Sequence, residues 1–381
     1  MKRIVCFALA LVLALMGGAG ACAAPLRDDD IQLEAPSALL MEKSTGQVLY
    51  EKNAHERRFP ASVTKVMTML LIVEDIESGK ISLEDTVTAS ARAASFGGSC
   101  VYLEQGEQMS VSDMLKCIAV VSANDCAVAM AEHLSGSEQV FVDRMNQRSG
   151  ELGLSDTHFT NCTGLFDDGE HYTSAYDIAV MSRELIKHDL IKNYTTIWMD
   201  SIRNGEFGLN NTNKLVYWYE GCTGLKTGYT STAMYCLSAT AERDGVEYIA
   251  VIMHGESIEQ RNDDAMTLLN YAFANYSLCS LRPEVELPRL PVELGRSSSV
   301  ALEFGGDEFA LVRKSGVQPE YTYELPESLR APIVKGDVLG RITVTIGGER
   351  AAEIPLCAAA DVPRIGFFGV LSMLAKSLFA I

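Results

Sequence analysis

The sequence predicts an α+β domain, built as an antiparallel sheet with helices, followed by a small all-β domain and a short C-terminal amphipathic helix. Three observations carry this prediction. Apolar residues recur at helical spacing in several segments between residues 63 and 275. Two apolar runs, residues 233–241 and 246–253, flank Glu242-Arg243-Asp244-Gly245 in the manner of a β-hairpin. Helical periodicity then disappears beyond the proline-rich stretch 283–291, which reads as a linker.

The chain has 381 residues, 48% of them hydrophobic and 22% charged, which is globular material sufficient for one sizeable core plus a smaller domain. Its formal charge is −18, and no stretch gathers enough Lys and Arg to neutralise a phosphate backbone, so nucleic acid is excluded as a partner class.

The first elements concern export. Lys2 and Arg3 precede an apolar run over residues 4–16 and small residues over 17–24, the pattern of a signal peptide spanning residues 1–24. Cys22 leaves lipoprotein processing as a second option, although Ala19 stands where such a signal prefers a larger aliphatic residue. Of ten cysteines, Cys6 and Cys22 lie in this leader, and the other eight are scattered without a CxxC or ligand-spaced Cys/His set. Cys126 on a helical apolar face and Cys236 in an apolar strand read as buried free thiols.

After the leader, residues 37–41 and 47–50 form a hairpin about Lys43-Ser44-Thr45-Gly46. A helix over residues 63–76 presents apolar positions 63, 66, 67, 70 and 73 and stops at Ser78-Gly79. Ser110 with Asp113 three residues on starts another, whose apolar stretch 114–121 runs into Ser122-Ala123-Asn124, where a further helix begins with Asp125 near its positive end. Helices follow at 138–152, 175–187 and 258–275, and the strand near Lys226 is expected in the same sheet as the 233–253 hairpin. The domains therefore read as 25–281 and 282–358, with strand-like runs at 299–303, 331–334, 341–346 and 351–355, and a tail at 359–381. Within that tail, Ile365, Phe368, Leu371 and Leu378 share one helical face, in a stretch shorter than the roughly 20 residues a bilayer-spanning helix needs. An amphipathic helix lying on a membrane surface is expected.

Four constellations carry chemistry: Ser62-Val63-Thr64-Lys65, Ser122-Ala123-Asn124, residues 161–177, and Lys226-Thr227-Gly228. Ser62 and Lys65 fall one helical turn apart, so the amine reaches the hydroxyl. A serine attacks carbon only when a base takes its proton, and a lysine serves if burial or a neighbouring cation, for which Lys226 is the candidate, disfavours its charged form. Ser122 and Asn124 sit at a helix break, either projecting into a cleft, as proton donor to a leaving amine and as substrate hydrogen-bonder, or simply capping the helix. Lys226 and Thr227 present a cation and a hydroxyl to a carboxylate, and Gly228 lets a ligand approach the strand closely. The six histidines lack metal-ligand spacing, and this chemistry calls for no metal or cofactor; His171 is a candidate to line the cleft.

The set S-x-x-K, S-x-N and K-T-G is shared by β-lactamases and penicillin-binding proteins. Pro60-Ala61-Ser62-Val63-Thr64-Lys65-Val66-Met67-Thr68, Ser122-Ala123-Asn124-Asp125 and Gly221-Cys222-Thr223-Gly224-Leu225-Lys226-Thr227-Gly228-Tyr229-Thr230 more specifically resemble the low-molecular-weight D-alanyl-D-alanine carboxypeptidases of peptidase family S11. So do His158-Phe159-Thr160-Asn161, Gly164-Leu165 and His171-Tyr172-Thr173-Ser174-Ala175-Tyr176-Asp177. The resemblance implies a β-lactamase/transpeptidase-like catalytic domain, an acyl-enzyme on Ser62, Lys65 as proton acceptor, and Ser122 and Asn124 as the second motif. It also implies Lys226 and Thr227 on the terminal carboxylate and the backbone N–H groups of Ser62 and Tyr229 as oxyanion hole. The implied substrates are peptidoglycan pentapeptide stems, with β-lactams as covalent inhibitors and the outer face of the cytoplasmic membrane as location. Ala123 departs from the family's usual glycine, and its methyl is expected to narrow the cleft.

The same motifs leave three alternatives. A class A-like β-lactamase needs a deacylating glutamate between the second and third motifs, where only Glu170 and Asp177 stand out. A DD-endopeptidase would use the same groups on cross-links. An idle cell-wall-binding module would not need them all.

Overall fold

The computed structural model describes residues 31–166, 169–306, 309–314, 318–367 and 369–371, so the expected signal peptide lies outside the described residues. The chain divides into two units, 24–275 and a second that takes in 276–381.

In the first unit β1 (Ser37–Glu42) and β2 (Val48–Lys52) form the expected hairpin. Helices α1 (Lys65–Glu77), α2 (Val111–Val120), α3 (Asn124–Ser135), α4 (Glu138–Glu151), α5 (Ala175–Leu185) and α6 (Asp189–Thr195) follow. The chain returns through β3 (Cys222–Thr230), β4 (Met234–Arg243) and β5 (Val246–Gly255) to α7 (Ile258–Asn275). The five strands make one antiparallel sheet in the order β2-β1-β5-β4-β3, with Lys226 opposite Ser238 and Gly228 opposite Cys236. Both α5 and α7 pack on β5, which is why nine of its ten residues are buried and its stretch from Tyr248 to Met253 is continuously apolar.

Helix α1 is the centre of this unit. The sequence suggests a single apolar stripe, but every residue from 65 to 73 is buried, including Met69, Leu71 and Ile72 off that stripe. A helix apolar all round is one covered on all sides; here α2, α4, α5 and β3 surround it together with α3. Its N-terminus also differs from expectation. Residues Ala61–Thr64 form a 3₁₀ turn and the α-helix begins at Lys65. The expected Ser110 cap does form, its hydroxyl accepting the Asp113 N–H, and Ser174 caps α5 in the same way through the Asp177 N–H.

Helix α6 and the hairpin Met199–Ile202 with Phe207–Asn210 occupy a stretch in which the sequence suggests no element. These elements are only four to seven residues long, too short for a periodicity to show.

The second unit begins earlier than residue 282, because Tyr276–Ser280 pairs with Phe309–Arg313. Its main sheet orders Leu302–Phe304, Glu349–Ala358, Val338–Ile346 and Glu320–Glu324 around a core that includes Ile342, Val344, Ile354 and Leu356. Leu290–Glu293 is a strand inside the expected linker, and 331–334 is reduced to an isolated bridge from Ile333 to Val362. That bridge and one from Arg364 to Gly295 assign residues 359–364 to the β unit and not to the tail helix. Helical residues begin at 367, and most of the tail lies outside the described residues. No helix among the described residues is long and apolar enough to cross a membrane, and the eight described cysteines are free.

The buried Asp75 ties α1 to α4 by accepting two bonds from Arg144, at 2.8 and 2.9 Å, and one from Lys80. Replacing it with Ala leaves a half-buried guanidinium unpaired, so Asp75→Ala is expected to lower stability by about 1.5–3 kcal/mol in urea unfolding.

Candidate active site

Ser62 sits half-buried on the 3₁₀ turn, following Ala61, whose φ of +48° is unusual for a residue with a Cβ. Strand β3 lies directly against this turn. A Cβ on Gly228 would come within 2.8 Å of the Pro60 carbonyl oxygen and 3.1 Å of the Ser62 nitrogen. The space opened by Gly228 is therefore taken by the nucleophile's own turn and not, as the sequence suggests, by a ligand.

Lys65 projects from the first residue of α1 into a fully enclosed position. Its Nζ lies 3.0 Å from Ser62 Oγ, 2.6 Å from Asn124 Oδ1 and 2.8 Å from the Thr163 carbonyl oxygen. Burial pulls its pKa down to about 7, against smaller opposing influences from Cys162, Cys100 and Asp125. A neutral amine has two N–H groups and one lone pair. Asn124 and Thr163 accept the two N–H groups, and the lone pair is left for the Ser62 proton.

The second motif does not cap α3. Ala123 is the N-cap residue, with no side-chain bond, and its methyl is in the hydrophobic core instead of the cleft. Ser122 is held at φ +64°, and its buried Oγ has no hydrogen-bond partner among the described residues. Asn124 gives its oxygen to Lys65 and donates from Nδ2 to the Gly97 carbonyl at 2.8 Å, so its first duty is to position the base. The buried Asp125 accepts the Val101 and Leu103 N–H groups, each at 3.1 Å, and clamps the loop beside Asn124.

The Thr163 carbonyl belongs to a tight turn that Asn161 builds by accepting the Thr163 and Gly164 N–H groups. Gly164, at φ +73°, has no room for a side chain, since a Cβ would come 1.8 Å from the Ala61 carbonyl oxygen. His171 is fully buried and does not line the cleft. Its Nδ1 accepts from the Thr160 N–H at 3.0 Å, leaving Nε2–H to donate to Thr64 Oγ1 at 2.8 Å. Asp177 is committed to the Asp156 N–H and the Thr157 hydroxyl, and Glu170 is exposed.

On β3, Lys226 is buried and donates to the Thr227 carbonyl at 2.9 Å, while the Thr227 hydroxyl donates to Thr212 Oγ1 at 2.8 Å. Burial, then the charges of Lys65 and Arg261, push the Lys226 ammonium well below its ordinary range. The expected neighbouring amine is thus present, but its own charge is disfavoured, and burial is what prepares Lys65. Arg261 on α7 is a residue that sequence reasoning missed: buried, drawn down to about 10 by that burial, and outside every motif. Tyr229 is exposed at the end of the K-T-G segment and stacks on Tyr235 at 4.5 Å.

A serine whose hydroxyl faces a buried lysine with its pKa drawn down to about 7, beside an antiparallel sheet flanked by helices, defines a serine acyl-transfer enzyme. The family model for D-alanyl-D-alanine carboxypeptidase matches residues 23–257, and that for the C-terminal domain of penicillin-binding protein 5 matches residues 287–364. The chain belongs to the D-alanyl-D-alanine carboxypeptidase family. It is 42% identical over 351 residues to the D-alanyl-D-alanine carboxypeptidase DacF of Bacillus subtilis, covering 91% of this chain and 90% of that one. Among solved structures, penicillin-binding protein 5 of Haemophilus influenzae matches with TM-score 0.78 at 32% identity, over 88% of this chain and 99% of that one. Penicillin-binding protein D2 of Listeria monocytogenes, in its ampicillin-bound form, matches with TM-score 0.59 at 30% identity, over 64% and 99%.

Because Lys65 is a base only when neutral, acylation of Ser62 is expected to rise with pH through about 7 and to fall by about tenfold per unit below it. Stopped-flow acylation rates across pH 5–9 would refute this by staying flat (about a twofold change or less). Gly164→Ala is expected to lower the same rate by more than about tenfold, since displacing the Thr163 carbonyl loosens the base.

Proposed function

We propose that the enzyme removes the terminal D-alanine from peptidoglycan pentapeptide stems through an acyl-enzyme on Ser62. The observation that carries this reading is the Lys65 amine, bonded to Ser62, Asn124 and Thr163 in an enclosed site near the buried Lys226 amine. The substrate's terminal carboxylate takes the hydroxyl of Thr227 and the positive field of Lys226 and Arg261. That places the scissile carbonyl at Ser62, with the backbone N–H groups of Ser62 and Tyr229 receiving the oxyanion. Lys65 takes the Ser62 proton as Oγ attacks, and Ser122, whose hydroxyl has no competing partner among the described residues, passes a proton to the departing amine of D-alanine. Water then hydrolyses the ester. A β-lactam acylates the same serine, and the commitment of Asp177 to the 156–157 loop favours slow release of that adduct.

An exported enzyme held at the outer face of the cytoplasmic membrane fits this substrate. The exposed Phe367 and Leu371 at the start of the tail support an amphipathic helix in the membrane interface. Deleting residues 365–381 is expected to move the protein from the membrane to the soluble fraction.

Mass spectrometry of muropeptides incubated with the enzyme is expected to show loss of a single D-alanine from pentapeptide stems. Cleavage confined to cross-linked dimers would replace this reading with an endopeptidase. Ser62→Ala is expected to abolish labelling by a fluorescent penicillin and to lower turnover by about 10⁴-fold or more.

A further inference from the structure

The sequence contains two tryptophans, and both belong to one aromatic cluster at the edge of the catalytic unit. Trp198 packs on Tyr217 with ring centroids 5.2 Å apart, and Tyr217 meets Trp218 edge-on at 5.0 Å. Tyr217 and Trp218 are 60% and 69% exposed. Water-facing aromatic rings in a group mark an interaction surface, because nothing in the fold itself needs them there.

The cluster is continuous with the wall of the cleft. The Asn211 N–H donates to the Trp198 carbonyl at 2.9 Å, and the next residue, Thr212, accepts from the Thr227 hydroxyl at 2.8 Å. Trp198 immediately precedes the hairpin Met199–Ile202 with Phe207–Asn210. At the other end of that hairpin, about 10 Å along the strands, Phe207 pairs with Tyr102, which is 74% exposed, at 6.4 Å. Tyr102 lies in the loop clamped by Asp125, and Arg203 donates to the Val101 carbonyl to join that loop to the hairpin. Two aromatic stations are thus fixed to the two segments that line the site.

We infer that this surface binds the glycan strand that carries the peptide stem. The apolar C–H face of a hexosamine ring stacks on Trp and Tyr, and stations about 10 Å apart suit a polymer of such rings. A pentapeptide reaches at most about 18 Å when fully extended, so sugars joined to a stem in the cleft stay within range of its rim. The net charge of −18 disfavours an anionic lipid surface as the occupant, whereas an amide-linked sugar strand is close to neutral. The inference rests on the carboxypeptidase reading for the identity of the polymer.

Both tryptophans lie in the cluster, so their emission reports on it directly. Titrating the full chain with a neutral oligosaccharide of β-1,4-linked N-acetylglucosamine, which presents the same hexosamine faces without a free carboxylate, is expected to give a saturable change in emission. Affinity should fall at least about fivefold in Trp218→Ala and within about twofold in Trp218→Phe, which keeps an aromatic face. No change at millimolar saccharide, or a change with phosphatidylglycerol vesicles and none with saccharide, would overturn the inference. Release of D-alanine from free pentapeptide, measured in parallel, judges the carboxypeptidase reading separately, because it needs no sugar.

Discussion

An amine in the protein interior is unstable as a cation and useful as a base, and the position of Lys65 turns the first property into the second. Taking an ammonium out of water costs several kcal/mol unless hydrogen bonds replace the lost solvation. The replacement here is partial: one amide oxygen, one backbone carbonyl and one hydroxyl. Those partners come from three different parts of the chain, so the central placement of α1, the start of α3 and the turn at 161–164 are all consequences of one requirement. Remove the enclosure and Lys65 returns to its ordinary charged state; remove the acceptors and its lone pair loses its direction.

The interior electrostatics run against the surface. The chain carries an excess of acid overall, yet Lys65, Lys226 and Arg261 lie together in the interior, two of them acting on the third. No described carboxylate neutralises Lys226, which bonds only a backbone carbonyl. A carboxylate placed beside Lys226 would relieve that repulsion, so anion binding there and a charged Lys226 would favour one another.

Much of this was legible in the sequence, because it depends on local spacing. A serine and a lysine three apart must share a helical turn, and the K-T-G strand had to join the hairpin that follows it. What escaped was whatever a backbone atom or a distant segment supplies. The Thr163 carbonyl carries no side-chain signature, and Arg261 stands 35 residues beyond Lys226, on helix α7 and not on strand β3. Asn124 reads from the sequence as a substrate hydrogen-bonder and Gly228 as an opening for a ligand, and the structure gives each a protein neighbour, since a motif names residues without saying what they meet. His171 was placed in the cleft for the same reason, although its two nitrogens hold Thr160 and Thr64 together. The family resemblance located the reacting groups; only the packing around α1 explains their chemistry.

Backbone strain has a consistent place in this arrangement. Ala61 and Ser122 both adopt positive φ, a state that costs a residue with a Cβ about 1–2 kcal/mol, and each adjoins a group that must meet Lys65. Gly164 and Gly228 occupy the complementary positions, where the neighbouring chain comes too close for any side chain. Glycine relieves crowding from outside the turn, while strain inside it is held by the surrounding core, of which Ala61 and Ala123 are part. Neither strained residue can relax without moving its motif away from the amine. The fold therefore spends local stability at the two points where Ser62 and Asn124 are aimed, and it can do so because α1 between them is buried along nearly its whole length.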